Sequence, residues 1–240
     1  MKLAQVLFTQ GFGTRRECAD LIAADLVTIA GTICSDPDRE LVPEGFQFAV
    51  RAEPWAYHEH ALLVMNKPAG YECSQKPKHH PSVYSLLPAP LRGRGVQAIG
   101  RLDEDTTGVL LFTDDGTLIH RLTSPRHHVP KVYEVTCKHP IVADQIGKLT
   151  RGVLLHDENE TVRAVACEAT GPSSLRMTLM EGKYHQVKRM IAAAGNRVEA
   201  LHRSEFGPVG AEGLTQGGWR WLSEAESSSV SRKRPVAVEP

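Results

Sequence analysis

The sequence predicts an α+β chain in two parts: a small module of helices and short strands, then a strand-rich domain. Three observations carry that reading. Helical spacing and a capping signature fall within the first 25 residues. A polar stretch with a proline, "RAEPWAYHEH", interrupts the pattern around Pro54. From there to Leu222, apolar runs of strand length recur between polar loops.

The elements follow in order. "MKLAQVLFTQG" has the spacing of a first amphipathic helix ending at Gly11 or Gly13. "TRRECADLIAADLV" opens with Thr14 as N-cap and Glu17 three residues on, a capping box. "VTIAGTIC" reads as two short strands about Ala30-Gly31, and "EGFQFAV" as a third. These make a unit over residues 1–53, joined by a linker at 54–59 to a domain over 60–222. In that domain "ALLVMNKPAGY" is a buried strand broken at Pro68. "GVLLFTDDG", "KVYEVTC" and "LRMTLMEG" are further strands. "HQVKRMIAAAGNRV" has helical spacing and stops at Gly195-Asn196, and "VEALHRSEFG" returns as a strand. Residues 223–240, Ser-rich and then basic with prolines, read as a disordered tail.

Composition narrows the function classes. With 41% apolar and 23% charged residues the chain has a soluble globular profile. No window offers the roughly 18 apolar residues that span a bilayer, and Thr9, Gln10 and Arg15 break any signal-peptide core. Five scattered cysteines without a CxxC pair fit reduced thiols and a cytoplasmic location. Basic and acidic residues both total 28, yet they are unevenly placed. Residues 1–53 carry five basic and eight acidic side chains, whereas the middle of the chain is net positive, its basic residues gathering in "EGKYHQVKRMIAAAGNRVEALHR". No coiled-coil repeat calls for self-association, so a monomer is expected.

The stretch "GRLDEDTTGVLLFTDDG" is the chemically suggestive one. Its apolar run breaks the alternating oxygen ligands a calcium loop needs. It is no GxxxxGK[ST] phosphate loop, and no GxGxxG follows a strand. His79-His80 and His127-His128 lack a partner cluster at zinc spacing, so no metal is expected. What remains is an acid beside a base. In an extended segment Arg101, Asp103 and Asp105 share a face, and an adjacent arginine keeps a carboxylate ionised. An ionised carboxylate can act as a nucleophile. The same residues equally serve a loop that satisfies its own backbone. Two further segments suit a polyanion: "TSPRHHVPKVYEV", with Arg126, His127, His128, Lys131 and Tyr133, and "EGKYHQVKRM", where a helix places His185, Lys188 and Arg189 on one side.

These motifs, in this order, resemble the pseudouridine synthases of the ribosomal small-subunit type. "LLVMNKPAGYECS", "PAPLRGRGVQAIG", "GRLDEDTTGVLLFTDDG", "HRLTSPRHHVPKVYEV" and "EGKYHQVKRMIAAAGNRVEALHR" carry the resemblance, which spans about residues 1–222. It implies an S4-like RNA-binding module followed by a mixed, mainly antiparallel catalytic domain. It implies isomerisation of a uridine to pseudouridine in 16S ribosomal RNA of a partly assembled subunit, without a cofactor. The large-subunit (23S) enzymes and a non-catalytic assembly factor are the alternatives. By the same resemblance Asp103 is the catalytic aspartate and Tyr133 packs against the target base. Lys183, or its neighbour Lys188 or Arg189, pairs with the aspartate, while Lys67 mainly supports the core. Arg15 and Arg16 open the module's RNA-facing helix, and Arg101 and Arg197 add to the RNA surface. The acidic balance of residues 1–53 departs from the basic module usual in RNA binders. Fewer phosphate contacts there imply a shallow salt dependence of binding.

Overall fold

The computed structural model describes residues 1–124, 127–156 and 158–232. It contains two compact units, Met1–Ala61 with Leu87–Gln97, and Leu62–Leu86 with the chain from Ala98 onward.

In the first unit, helices α1 (Leu3–Thr9) and α2 (Arg15–Ala23) precede strands β1 (Val27–Ile29), β2 (Thr32–Ile33), β3 (Gln47–Val50) and β4 (Glu53–Ala56). The capping box is present: Glu17 N–H donates to Thr14 Oγ1 (3.3 Å) and Thr14 N–H to Glu17 Oε2 (2.7 Å). Ala30 and Gly31 both have positive φ (49° and 78°), the conformation of a tight two-residue hairpin. The sheet order is β2-β1-β3-β4, all antiparallel. Pro54 lies in the edge strand β4, where a missing N–H is tolerated, so residues 54–56 are strand rather than the expected linker. Leu3, Val6, Leu7, Ile22, Val27 and Phe48 form the core. Residues 87–97, with α3 (Ala89–Gly93), join this unit and not the domain expected over 60–222. The reason is the fully buried Gln10, which needs partners. Arg94 donates to Gln10 Oε1 (2.9 Å) and to the carbonyls of His58 (2.9 Å) and Glu59 (3.0 Å).

The second unit is built on β5 (Leu62–Lys67), β6 (Gln97–Ala98), β7 (Thr107–Thr113), β8 (Lys131–Cys137), β9 (Val153–Leu154), β10 (Thr161–Val162), β11 (Ala166–Gly171), β12 (Ser174–Leu179), β13 (Val198–Phe206), β14 (Val209–Gly210) and β15 (Trp219–Trp221). Its helices are α4 (Gly116–Thr123), α5 (Ala143–Arg151), α6 (Gln186–Ala193) and α7 (Glu224–Ser231). The main sheet runs β11-β12-β8-β13-β7-β5-β15. Its pairings are antiparallel except β13 with β7. That parallel pair sets Gly108 opposite Arg203. Gly108 has φ +105°, and a Cβ there would strike the Arg203 carbonyl, so the glycine of "TTG" is required by strand approach.

Between its terminal threonines, strand β7 is apolar from Val109 to Phe112 because both faces are covered. Val109 and Leu111 join a core with Leu118, Leu122, Phe206 and Val230. On the alternate positions, Phe112 meets Tyr84 edge to face at 5.5 Å. A second core joins β8, β12 and β13 to α5 and α6 through Val135, Met177, Leu149, Met190 and Ile191.

Within the described residues of this unit, helices α4, α5 and α7 were not foreseen, as α3 was not in the first. In α4, Asp115 caps the N-terminus, accepting from Thr117 N–H (2.8 Å) and Leu118 N–H (3.1 Å), so "TDDG" starts a helix as well as ending a strand. In α5, Leu149 is the buried anchor. The tail expected to be disordered from residue 223 forms α7. Its Ser223–Glu226 capping box and the buried Val230 outweigh the polar composition. Arg220 clamps Glu226 through two bonds of 2.7 and 2.8 Å. Residues 233–240 lie outside the described residues.

Candidate active site

Asp103 lies in a turn that leads into β7, closed by Thr106 N–H to the Asp103 carbonyl at 3.1 Å. This is a turn where an extended segment was expected. Lys67, fully buried at the end of β5, holds it from beneath. Its Nζ donates to the carbonyls of Pro68 (3.0 Å), Asp103 (3.0 Å), Glu104 (3.1 Å) and Thr106 (2.9 Å). An ammonium carries three protons, so these four contacts are shared among three donors. Burial pulls the Lys67 pKa below the ordinary lysine value against the pull of nearby Cys73 and the acidic loop. The "NKPAG" lysine thus supports the aspartate's own loop, a more specific task than supporting the core.

The Asp103 carboxylate, 24% exposed, is gripped from two sides. Lys188 Nζ is 3.2 Å from Oδ2 and His185 Nε2 is 3.2 Å from Oδ1. Both come from the start of α6, His185 as its N-cap and Lys188 one turn on, so their spacing puts them on one side. Lys188 also bonds both Asp105 oxygens, at 2.7 and 2.8 Å. Burial alone would lower the Lys188 pKa. The bond to Asp105 and the charge of Asp103 outweigh it, and the net direction is upward. Burial likewise acts to raise the Asp105 pKa, and Lys188 reverses it to a net lowering.

The base beside Asp103 is therefore Lys188. The expected pairing with Lys183 is corrected: Lys183 Nζ bonds Glu158 Oε2 at 2.8 Å. Lys183 precedes the helix and is drawn away by that carboxylate, whereas the first turn of α6 projects Lys188 toward the acid. Arg189 also turns to Glu158, at 3.6 Å, and donates to the carbonyls of Tyr184 (3.2 Å) and His156, so it does not share the face of His185 and Lys188.

Asp103, Arg101, Lys131, Tyr133, Lys183, His185 and Lys188 all line one cavity of about 350 Å³. Tyr133, on β8, is 8% exposed and lies across from Met177 of β12 and Arg203 of β13. Lys131 donates to the Val129 carbonyl (2.8 Å) and sits over the Phe206 ring at 5.4 Å. Burial and then the charge of Arg203 push its pKa down to about 8. Arg203 is 2% exposed, and its Nε donates to the Val109 carbonyl at 2.8 Å. Sequence reading counted Arg203 only within the basic segment "EGKYHQVKRMIAAAGNRVEALHR" and gave it no place in the site. Gln186 was missed too: it accepts from Lys183 N–H (2.7 Å) and donates to Glu181 (2.8 Å), fixing the loop before α6.

The remaining expected residues lie elsewhere. Arg15 and Arg16 belong to the first unit, Arg15 lying over the Phe8 ring at 4.6 Å. His127 and His128 are exposed and do not line the cavity. Arg197 pairs with Glu199 at 3.4 Å on the surface. Arg126 lies outside the described residues.

A carboxylate fixed between the Lys188 ammonium and the His185 imidazole, at a cavity with a buried tyrosine, suits chemistry on a bound, uncharged ring. Comparison with known proteins gives the family. The family described as RNA pseudouridylate synthase matches residues 61–193. Similar relatives include the ribosomal small subunit pseudouridine synthase A of Salmonella typhimurium, 42% identical over 87% of this chain and 90% of that protein. The enzyme of the same name from Escherichia coli K12 is 41% identical over the same shares. An uncharacterized RNA pseudouridine synthase of Bacillus subtilis is 38% identical over 94% of this chain and 96% of that one. A crystal structure of a pseudouridylate synthase superimposes with TM-score 0.68 at 34% identity, covering 96% of this chain and 99% of the other. On a match this long, carried by sequence and fold alike, the chain belongs to the RNA pseudouridine synthase family, of the ribosomal small-subunit type.

Proposed function

We propose that this protein converts one uridine of 16S ribosomal RNA to pseudouridine, with Asp103 as the catalytic group. The observation that carries the reading is the Asp103 carboxylate fixed between Lys188 and His185 in a cavity shared with Tyr133. The small-subunit assignment is supported by the relatives of that name at 41–42% identity.

The reaction moves a bond within one nucleotide. The N1–C1′ bond breaks, the uracil turns, and C5 bonds C1′. The proton leaves C5, and N1 ends protonated, so no atoms are gained and no redox partner enters. Asp103 acts at the sugar, either as nucleophile at C1′ or as base at C2′. Both routes require it ionised, and the Lys188 ammonium stands 3.2 Å from its Oδ2. Tyr133 offers a ring against which the detached uracil stays in place, which suits a nucleotide moved out of its stack. Arg101 and Lys131 stand in the same cavity to receive phosphate or base oxygens. A partly assembled subunit in the cytoplasm is the substrate particle we infer, acted on by a monomer.

Site-resolved pseudouridine mapping of ribosomal RNA tests this. Cells lacking the protein, or carrying only Asp103→Asn, lose one 16S pseudouridine and keep all 23S sites. Loss at a 23S site reassigns the target to the large subunit. An unchanged map with Asp103→Asn overturns the catalytic role and leaves an RNA-binding assembly factor.

A further inference from the structure

Tyr184 is the most conspicuous side chain outside the catalytic set. It is 73% exposed, an unusual state for a large aromatic residue on a rigid segment. Its ring stacks on the neighbouring His185, centroids 3.8 Å apart and planes 19° from parallel. Adjacent residues rarely stack, because consecutive side chains diverge in regular backbone. Here His185 adopts φ +47° and ψ 33°, the left-handed region that a β-carbon disfavours. Such a conformation persists only where the surroundings fix it. Arg189 Nη1 donates to the Tyr184 carbonyl, and the buried Gln186 ties the loop to Lys183 N–H and Glu181. His185 in turn touches Asp103. The result is a two-ring stack that begins at the catalytic carboxylate and ends in solvent.

We infer that the Tyr184–His185 stack is a platform for the nucleobase next to the target uridine. The inference rests on the RNA-modifying function proposed above and names a second contact on the same substrate. A uridine drawn into the cavity leaves its neighbour with one stacking face uncovered. An exposed, preordered aromatic ring stacked on His185, which lines the cavity, replaces that lost face. Stacking tolerates any base, because every base has a π-face, so the platform adds affinity and register without reading sequence. Orientation beside the acid costs little at binding because the rings are already stacked.

The test uses the full chain and single-stranded RNA oligonucleotides carrying 2-aminopurine on the 5′ or 3′ side of a single uridine. Stacking quenches the 2-aminopurine fluorescence, whether or not the RNA is turned over. We expect quenching with the parent protein at one of the two positions. Tyr184→Phe retains most of it, and Tyr184→Ala loses it, with affinity falling about tenfold or more. Tyr184 is exposed, so Tyr184→Ala is expected to fold as the parent does, and an unchanged circular dichroism spectrum checks it. Equal quenching and affinity in parent and Tyr184→Ala overturns the platform. Quenching that depends on Tyr184 in an RNA that is never isomerised supports the platform and counts against the proposed function alone.

Discussion

Replacing Lys67 by methionine removes the ammonium beneath Asp103 while keeping a similar volume. Four carbonyls lose a donor: those of Pro68, Asp103, Glu104 and Thr106. Two keep another, since Thr106 N–H reaches the Asp103 carbonyl at 3.1 Å and Gly70 N–H the Glu104 carbonyl at 2.7 Å. At most two are left bare. Each unsatisfied buried carbonyl costs about 1–3 kcal/mol, and relief of the ammonium's own desolvation offsets part of this. The expected destabilisation is about 2–4 kcal/mol, read from the urea midpoint. Turnover should suffer more than stability implies. The same ammonium positions Asp103, and a displacement of about 1 Å can cost on the order of a hundredfold in rate. Pseudouridine formation, measured where the variant is fully folded, should therefore fall on the order of a hundredfold. A variant within about 1 kcal/mol of the parent in stability and with near-parental turnover would refute the clamp.

Lys188→Met should lower turnover on the order of a hundredfold, since it removes the charge that holds Asp103, whereas Lys183→Met should cost far less because Lys183 serves Glu158. Single-turnover kinetics compares them, and equal losses would restore Lys183 as the partner. Tyr133→Phe should keep more activity than Tyr133→Ala, because the ring fills the cavity wall. Similar kcat values for the two would shift the role to the hydroxyl. At α7, Arg220 and the Ser223 bonds hold the Glu226 carboxyl down to about 2, from its usual 4.5. A depressed acid stabilises the fold above its unfolded value, and that stability is lost as pH falls from 4.5 toward 2. The gap in melting temperature between parent and Arg220→Met should shrink across that window, and a gap independent of pH would refute the coupling.

Much of this was legible in residue order. Local signals identified α1, α2 and the Ala30-Gly31 hairpin, because capping boxes and two-residue turns are written in adjacent positions. The strands β5, β7, β8, β12 and β13 and helix α6 announced themselves by apolar period. The short helices α4 and α5 did not, since each buries only one or two side chains. Helix α7 hid behind a Ser-rich composition because its anchors, Arg220 and the core around Val230, come from elsewhere in the chain.

The sequence by itself determined the acid and the strand it precedes, and its motif order pointed to the family. Only the tertiary structure decided which base serves the acid. Lys183, Lys188 and Arg189 are chemically alike and lie within seven residues, so residue type cannot rank them. The ranking comes from where α6 begins. His185 and Lys188 face Asp103 across the fold, while Glu158, which no local pattern connects to this segment, draws Lys183 and Arg189 away. Charge pairing at 3 Å is a property of three-dimensional placement, and a chain read in one dimension holds the candidates without the distances that choose among them.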